Sequence, residues 1–129
     1  MTNINLSHAN GVARLELNRP AVFNALSPEL LQELIDHCTE LSANETVKVV
    51  VLHGKGKHFC AGADLPRFME RMQTEPQETA DLGRRAAEAL AALPQITIAT
   101  IKGYCIGGAL VLSAVCDMRV AASNSRFSI

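Results

Sequence analysis

The sequence predicts an α/β fold. Three observations carry the prediction. Strand-like and helix-like segments alternate along the chain, from the first hairpin to the last residues. Two apolar runs, Val47 to Leu52 and Ile96 to Ile101, are β-branched and nearly continuous, as in strands covered on both faces. Two glycine turns, each after such a run, lead into helix starts.

Taken in order, Ile4 and Leu6 alternate with polar residues, Asn10-Gly11 signals a turn, and Val12 to Leu17 alternates again. That predicts a hairpin ended by Asn18-Arg19-Pro20, with a loop to Leu26. Ser27-Pro28-Glu29 reads as an N-cap, a first-turn proline and a first-turn acid. Leu30, Leu31, Leu34, Ile35, Cys38 and Leu41 then predict a helix over 28–43. A strand over 47–52 follows, then a loop from His53 to Ala63, and a short helix from an Asp64 cap to about Met72. Pro76 opens a longer helix with an apolar stripe of Leu82, Ala86, Ala89, Leu90 and Leu93, stopped by Pro94. The strand 96–101 leads through Gly103 and Gly107-Gly108 to a helix over Ala109–Val115. Asp117 to Ala122 reads as a third core strand, and the chain ends in a strand-like Arg126-Phe127-Ser128-Ile129. No repeat or linker interrupts the 129 residues, so one domain is expected.

Composition narrows the function classes. Hydrophobic residues make up 48% and charged residues 19%, which excludes a disordered chain. Twelve basic and thirteen acidic side chains leave a net charge of −1, without the basic excess of a nucleic-acid or membrane-surface protein. No unbroken apolar run is long enough to cross a bilayer, and the polar start carries no signal-peptide core. Cys38, Cys60, Cys105 and Cys116 lie far apart with no CxxC pair, so neither a disulfide framework nor a metal site is indicated. A cytoplasmic protein is expected, with no metal and no separate cofactor.

The glycine turns are the candidate chemistry. A helix start leaves backbone N–H groups unpaired and carries partial positive charge, and glycine lets another atom approach closely. Two such turns facing one another would make a two-donor hole for a developing oxyanion. Either turn alone is also ordinary packing in an α/β protein. Nucleotide motifs do not fit: Gly103 to Gly108 lacks the GxGxxG spacing, and Gly54-Lys55-Gly56-Lys57 has no GxxxxGK frame.

The two turns together, with their flanks, resemble a known family. Asn18-Arg19-Pro20 with Asn24-Ala25-Leu26, His58-Phe59-Cys60-Ala61-Gly62-Ala63-Asp64, Lys102 to Ala109, and Cys116-Asp117 are similar to the enoyl-CoA hydratase/isomerase (crotonase) superfamily. The matches run in order along the chain and cover about the first half of a typical member. The resemblance implies a spiral of ββα units, here its N-terminal part, and an acyl-CoA thioester as ligand, with coenzyme A entering as part of the substrate. It implies that the backbone N–H groups of Ala63 and Gly108 hold the thioester oxygen as an enolate forms. It places Ala21, Phe23 and Ala25, with Lys57, Phe59 and Ala61, beside the coenzyme A moiety. Members often carry lysine where this chain has Ala21; Lys57 is the substitute, against the plainer reading of a solvated surface lysine. Homo-oligomers, trimers or hexamers, are the family pattern.

The match fails at one catalytic position. Hydratases of this family place a glutamate three residues past the second donor, and here that residue is Val111. Their second glutamate would align about two residues beyond Ile129. A single remaining carboxylate suits isomerisation better than hydration, so the expected activity is more isomerase-like. The alternative is a non-catalytic acyl-CoA-binding or interaction protein.

Other polar residues have plainer readings. Asp64 reads as an N-cap, Asp117 as structural, and Glu70 and Asp81 as polar helix faces. His58 reads as a hydrogen-bonded spacer, His53 as a strand end without a Ser or Asp partner, and Cys60 and Cys105 as packed thiols. Tyr104 is expected to pack. The stripe on helix 76–93 is core or subunit interface, and could line an acyl tunnel.

Overall fold

A computed structural model describes residues 2–129. Strands β1 (Ile4–Ala9) and β2 (Val12–Leu17) form an antiparallel hairpin in the register Ile4 opposite Leu17. Asn10 and Gly11 both take positive φ at its tip, as a two-residue turn of matching twist requires. A short 3-10 turn, Pro20–Val22, then turns the chain toward α1 (Pro28–Ser42). The Ser27 hydroxyl accepts the Leu30 N–H at 3.1 Å, and Pro28 occupies the first turn, so the start of α1 is where its residues predict.

The main sheet has the order β1-β2-β3-β4-β6, with β3 (Val49–Gly54), β4 (Ile96–Ile101) and β6 (Met118–Ala121) parallel to β2. β3 starts two residues later than expected and runs on to Gly54. Its entry is set by the Lys48 and Val49 amides, which both donate to Gly11 O, and its exit by Lys55 N–H donating to Leu17 O at 2.9 Å. Helices α2 (Leu65–Met72) and α3 (Pro76–Ala91) cross from β3 to β4, and α4 (Gly108–Ala114) crosses from β4 to β6. α1 and α3 bury Leu30, Leu34, Cys38 and Leu82, Ala86, Leu90 in one core with Leu15, Leu17, Val50, Leu52, Ala99 and Ile101 of the sheet.

A second, smaller sheet pairs β5 (Tyr104–Ile106) with β7 (Arg126–Ser128), and a parallel bridge from Cys60 to Cys105 adds the segment after β3 to its edge. From β3 to α3 and from β4 to α4 the chain lays one segment in the large sheet, one at the small sheet, and then helix. This is the ββα spiral.

The third core strand is a correction. β6 lies at the outer edge of the large sheet with all four residues exposed, Met118 and Val120 each by more than half. An apolar alternating run cannot by itself distinguish an edge strand from a central one. Asp117 is structural as expected: its carboxylate accepts Thr97 N–H at 2.9 Å and its own N–H donates to the Thr97 hydroxyl at 2.9 Å, fixing the start of β6 against β4. No helix among the described residues is long and apolar enough to cross a membrane.

Candidate active site

The first glycine loop is held from both sides. Leu26 N–H donates to Gly62 O at 2.8 Å, and Asp64 N–H donates to Leu26 O at 3.0 Å. In a parallel bridge of this kind the residue between the two bonded neighbours turns its own N–H the other way. That residue is Ala63. Asp64 also caps α2, its Oδ1 accepting Arg67 N–H at 3.3 Å, as the sequence predicts.

The second loop is pinned through Gly107, whose N–H donates to Ser128 O at 2.9 Å and whose positive φ turns the chain into α4. Gly108 opens that helix. The two loops lie side by side because the segments before them are paired: Cys60 N–H donates to Tyr104 O at 2.9 Å and Ile106 N–H to Cys60 O at 3.2 Å. Gly62, at φ +95°, packs so closely on Ile106 O that a Cβ would stand 2.8 Å away. Among the described residues, neither Ala63 N–H nor Gly108 N–H meets an acceptor within the chain.

Ala63 and Gly108 open onto one cavity of about 390 Å³. Its walls are Leu26 and Leu31 from the first loop and α1, Phe68 from α2, Gly83 and Ala87 from α3, and Val111 and Leu112 from α4. Arg84 and Glu88 border it and pair with one another at 3.0 Å. Ala63 and Gly108 both line an otherwise apolar cavity, and a backbone N–H without an acceptor can hold a carbonyl oxygen and stabilise negative charge on it. The side chain three residues past Gly108 is an exposed valine that lines this chamber. Beneath the loops, burial pushes the Cys60 thiol up to about 12, so it is neutral and packed rather than nucleophilic.

The residues expected beside coenzyme A form a separate group. Ala21, Phe23 and Lys57 are exposed, and Ala61 N–H donates to Phe23 O at 2.9 Å, joining the two segments. Phe23 holds a left-handed backbone, φ +55°, rare for a bulky side chain, and its ring packs edge-on to His58 at 4.9 Å. His58 stacks on Tyr104 at 4.2 Å, and its Nδ1 accepts Tyr104 N–H at 3.0 Å, which makes it a hydrogen-bonded spacer. Ala25 is half-buried. Phe59 differs from its neighbours: its ring is wholly inside the core, so only its backbone can face a ligand.

Two residues carry structural weight that sequence reasoning did not assign. Asn24 is fully buried, and its side chain accepts Arg19 N–H at 2.9 Å while donating to Lys55 O and His58 O at 3.0 and 2.9 Å. Arg19 pairs with Asp64 at 3.0 Å. The only local signal for either was the Asn-Arg-Pro and Asn-Ala-Leu pattern itself.

Comparison with known proteins agrees with this geometry. The sequence pattern that defines the enoyl-CoA hydratase/isomerase family matches residues 7–129. A Bacillus subtilis protein, YngF, is 42% identical over 111 residues, covering 85% of this chain and 43% of its own length. The crotonyl-CoA hydratase of Syntrophomonas wolfei is 34% identical over 126 residues, covering 97% of this chain and 48% of its own. The crystal structure of an enoyl-CoA hydratase from Bacillus anthracis superposes with a TM-score of 0.90 at 36% identity, over 98% of this chain and 50% of that one. The chain thus spans about half the length of the relatives it matches.

Proposed function

This chain belongs to the enoyl-CoA hydratase/isomerase family, and on that premise we propose that it binds an acyl-CoA thioester and stabilises its enolate between the amides of Ala63 and Gly108. One observation carries the reading: two amides without acceptors, from separate loops held in contact, open onto the same apolar cavity. Loss of a proton from the carbon next to the thioester puts charge on the carbonyl oxygen. Each donor waiting there is worth about 2.7–4 kcal/mol of barrier. The acyl chain runs along Leu26, Phe68, Gly83, Ala87 and Leu112. The coenzyme A portion leaves past Phe23, Lys57 and Ala61.

Val111 favours isomerisation over hydration. Adding water needs one group to activate it and another to deliver a proton, and a valine does neither. Isomerisation needs only one proton carrier, moving between two carbons of the enolate. The carboxylate bordering the cavity, Glu88, is tied to Arg84. A second reading, binding of acyl-CoA without turnover, follows from the same valine. Assays of 3-enoyl-CoA isomerisation and crotonyl-CoA hydration, with calorimetry of acyl-CoA binding, separate these. Isomerisation faster than hydration supports the first reading and binding without either reaction the second; hydration at the rate of a two-glutamate hydratase contradicts both.

A further inference from the structure

We propose that Arg19 is a positioning residue: acting through Asp64, it holds the Ala63 amide in its donating orientation. The inference rests on the thioester reading above and adds the part of the chain that maintains it. Ala63 is aimed by only two backbone bonds, those of Leu26 to Gly62 O and of Asp64 to Leu26 O. Beside this isolated bridge the two segments share one further backbone bond, from Ala61 N–H to Phe23 O, and no continuous ladder. The Arg19 guanidinium ties the two sides of the bridge together. Nη1 donates to Ala25 O at 2.6 Å, the residue before Leu26, and Nη2 reaches Asp64 Oδ2 at 3.0 Å, the residue after Ala63.

The clamp is itself fixed. Arg19 N–H donates to the buried Asn24 side chain and Asn24 N–H donates back to Arg19 O at 2.8 Å. The other Asp64 oxygen is held by the first turn of α2. Both partners are largely sheltered from water, with side chains 18% and 12% exposed, unlike the solvated pairs along α2 and α3. The planar fork of arginine suits this two-point contact, which a single ammonium cannot reproduce in full. The same contact also sets a positive charge beside the carboxylate next to Ala63, where an oxyanion would form.

The test uses the full chain with Arg19→Gln, Arg19→Lys and Asp64→Asn. The first readout needs no ligand: amide hydrogen exchange at Leu26 and Asp64, with Gly107 of the other loop as internal control. Arg19→Gln and Asp64→Asn are expected to speed exchange at Leu26 and Asp64 by about tenfold or more and leave Gly107 unchanged, with Arg19→Lys in between. Native exchange rates at both sites in a folded Arg19→Gln protein overturn the clamp, whatever the ligand does. The second readout is the red shift of a conjugated aryl-acryloyl-CoA on binding, which reports carbonyl polarisation. The native chain shifts it, Arg19→Gln loses most of the shift, and Arg19→Lys recovers part. A full shift in Arg19→Gln contradicts the clamp. Binding without a shift in the native chain contradicts the thioester reading instead, and the exchange measurement still decides the clamp.

Discussion

Gly62 rests against the carbonyl oxygen of Ile106 with no room for a Cβ between them, and this contact brings the two glycine loops together backbone to backbone. Any side chain at Gly62 meets that carbonyl, which belongs to the strand leading into Gly107 and Gly108. It also meets the strain of φ +95°. Gly62→Ala is therefore expected to lower stability by about 1–3 kcal/mol, read from urea unfolding. It should also weaken acyl-CoA binding, because it forces the two loops apart.

Val111 gives the sharpest chemical prediction. It faces the cavity three residues past Gly108 and is half exposed, so a larger polar side chain fits there without disturbing the core. Val111→Glu places a carboxylate where the family resemblance implies one in hydratases. Hydration of crotonyl-CoA, followed by loss of the enoyl-thioester absorbance, should rise above that of the native chain, toward the 10²–10⁴-fold of a placed acid–base group. An unchanged rate would mean that the valine is not what limits hydration.

Gly83 should set how much acyl chain the cavity accepts. It sits inside α3, lines the chamber, and a Cβ there meets nothing within 4 Å. Gly83→Ala is expected to gain up to about 1 kcal/mol from helix propensity. Gly83→Leu fills the chamber instead. Calorimetry with short and long acyl-CoA esters should show the long ones weakened and the short ones little affected.

Alkaline pH should destabilise the fold through its buried thiols. Burial pushes Cys38 and Cys60 up to about 12, against an ordinary value of 9.0, and raises Cys105 and Cys116 too. Below the ordinary value the thiols are protonated in folded and unfolded chains alike, and their contribution is intact. As pH rises past 9.0 only the unfolded chain ionises, so stability falls by about 1.4 kcal/mol per unit for each of Cys38 and Cys60 until the folded thiols ionise near 12. Urea midpoints measured between neutral pH and pH 10.5 should show the decline, and serine at both positions should flatten it.

The elements with a periodic face or a clear cap were legible in the residues. The hairpin, α1 with its Ser27 cap, α2 with its Asp64 cap, and α3 stopped before Pro94 all rest on local patterns that their neighbours in space reinforce. β5 and the Pro20 turn are three residues each, too short for any period to register. β6 carried an apolar pattern that says nothing of its place at the sheet edge. Of the candidate site, the two glycine turns were readable, but their contact was not. It depends on Cys60 pairing with Cys105, and the clamp depends on Arg19 reaching Asp64, pairs 45 residues apart that no window along the chain can join.

A crystal structure of the chain with a bound acyl-CoA decides whether the two amides share one thioester oxygen. The thioester oxygen should lie about 2.7–3.1 Å from both the Ala63 and the Gly108 nitrogens, with the acyl chain beside Gly83. A thioester bound elsewhere, or an oxygen held by only one of these amides, would contradict it.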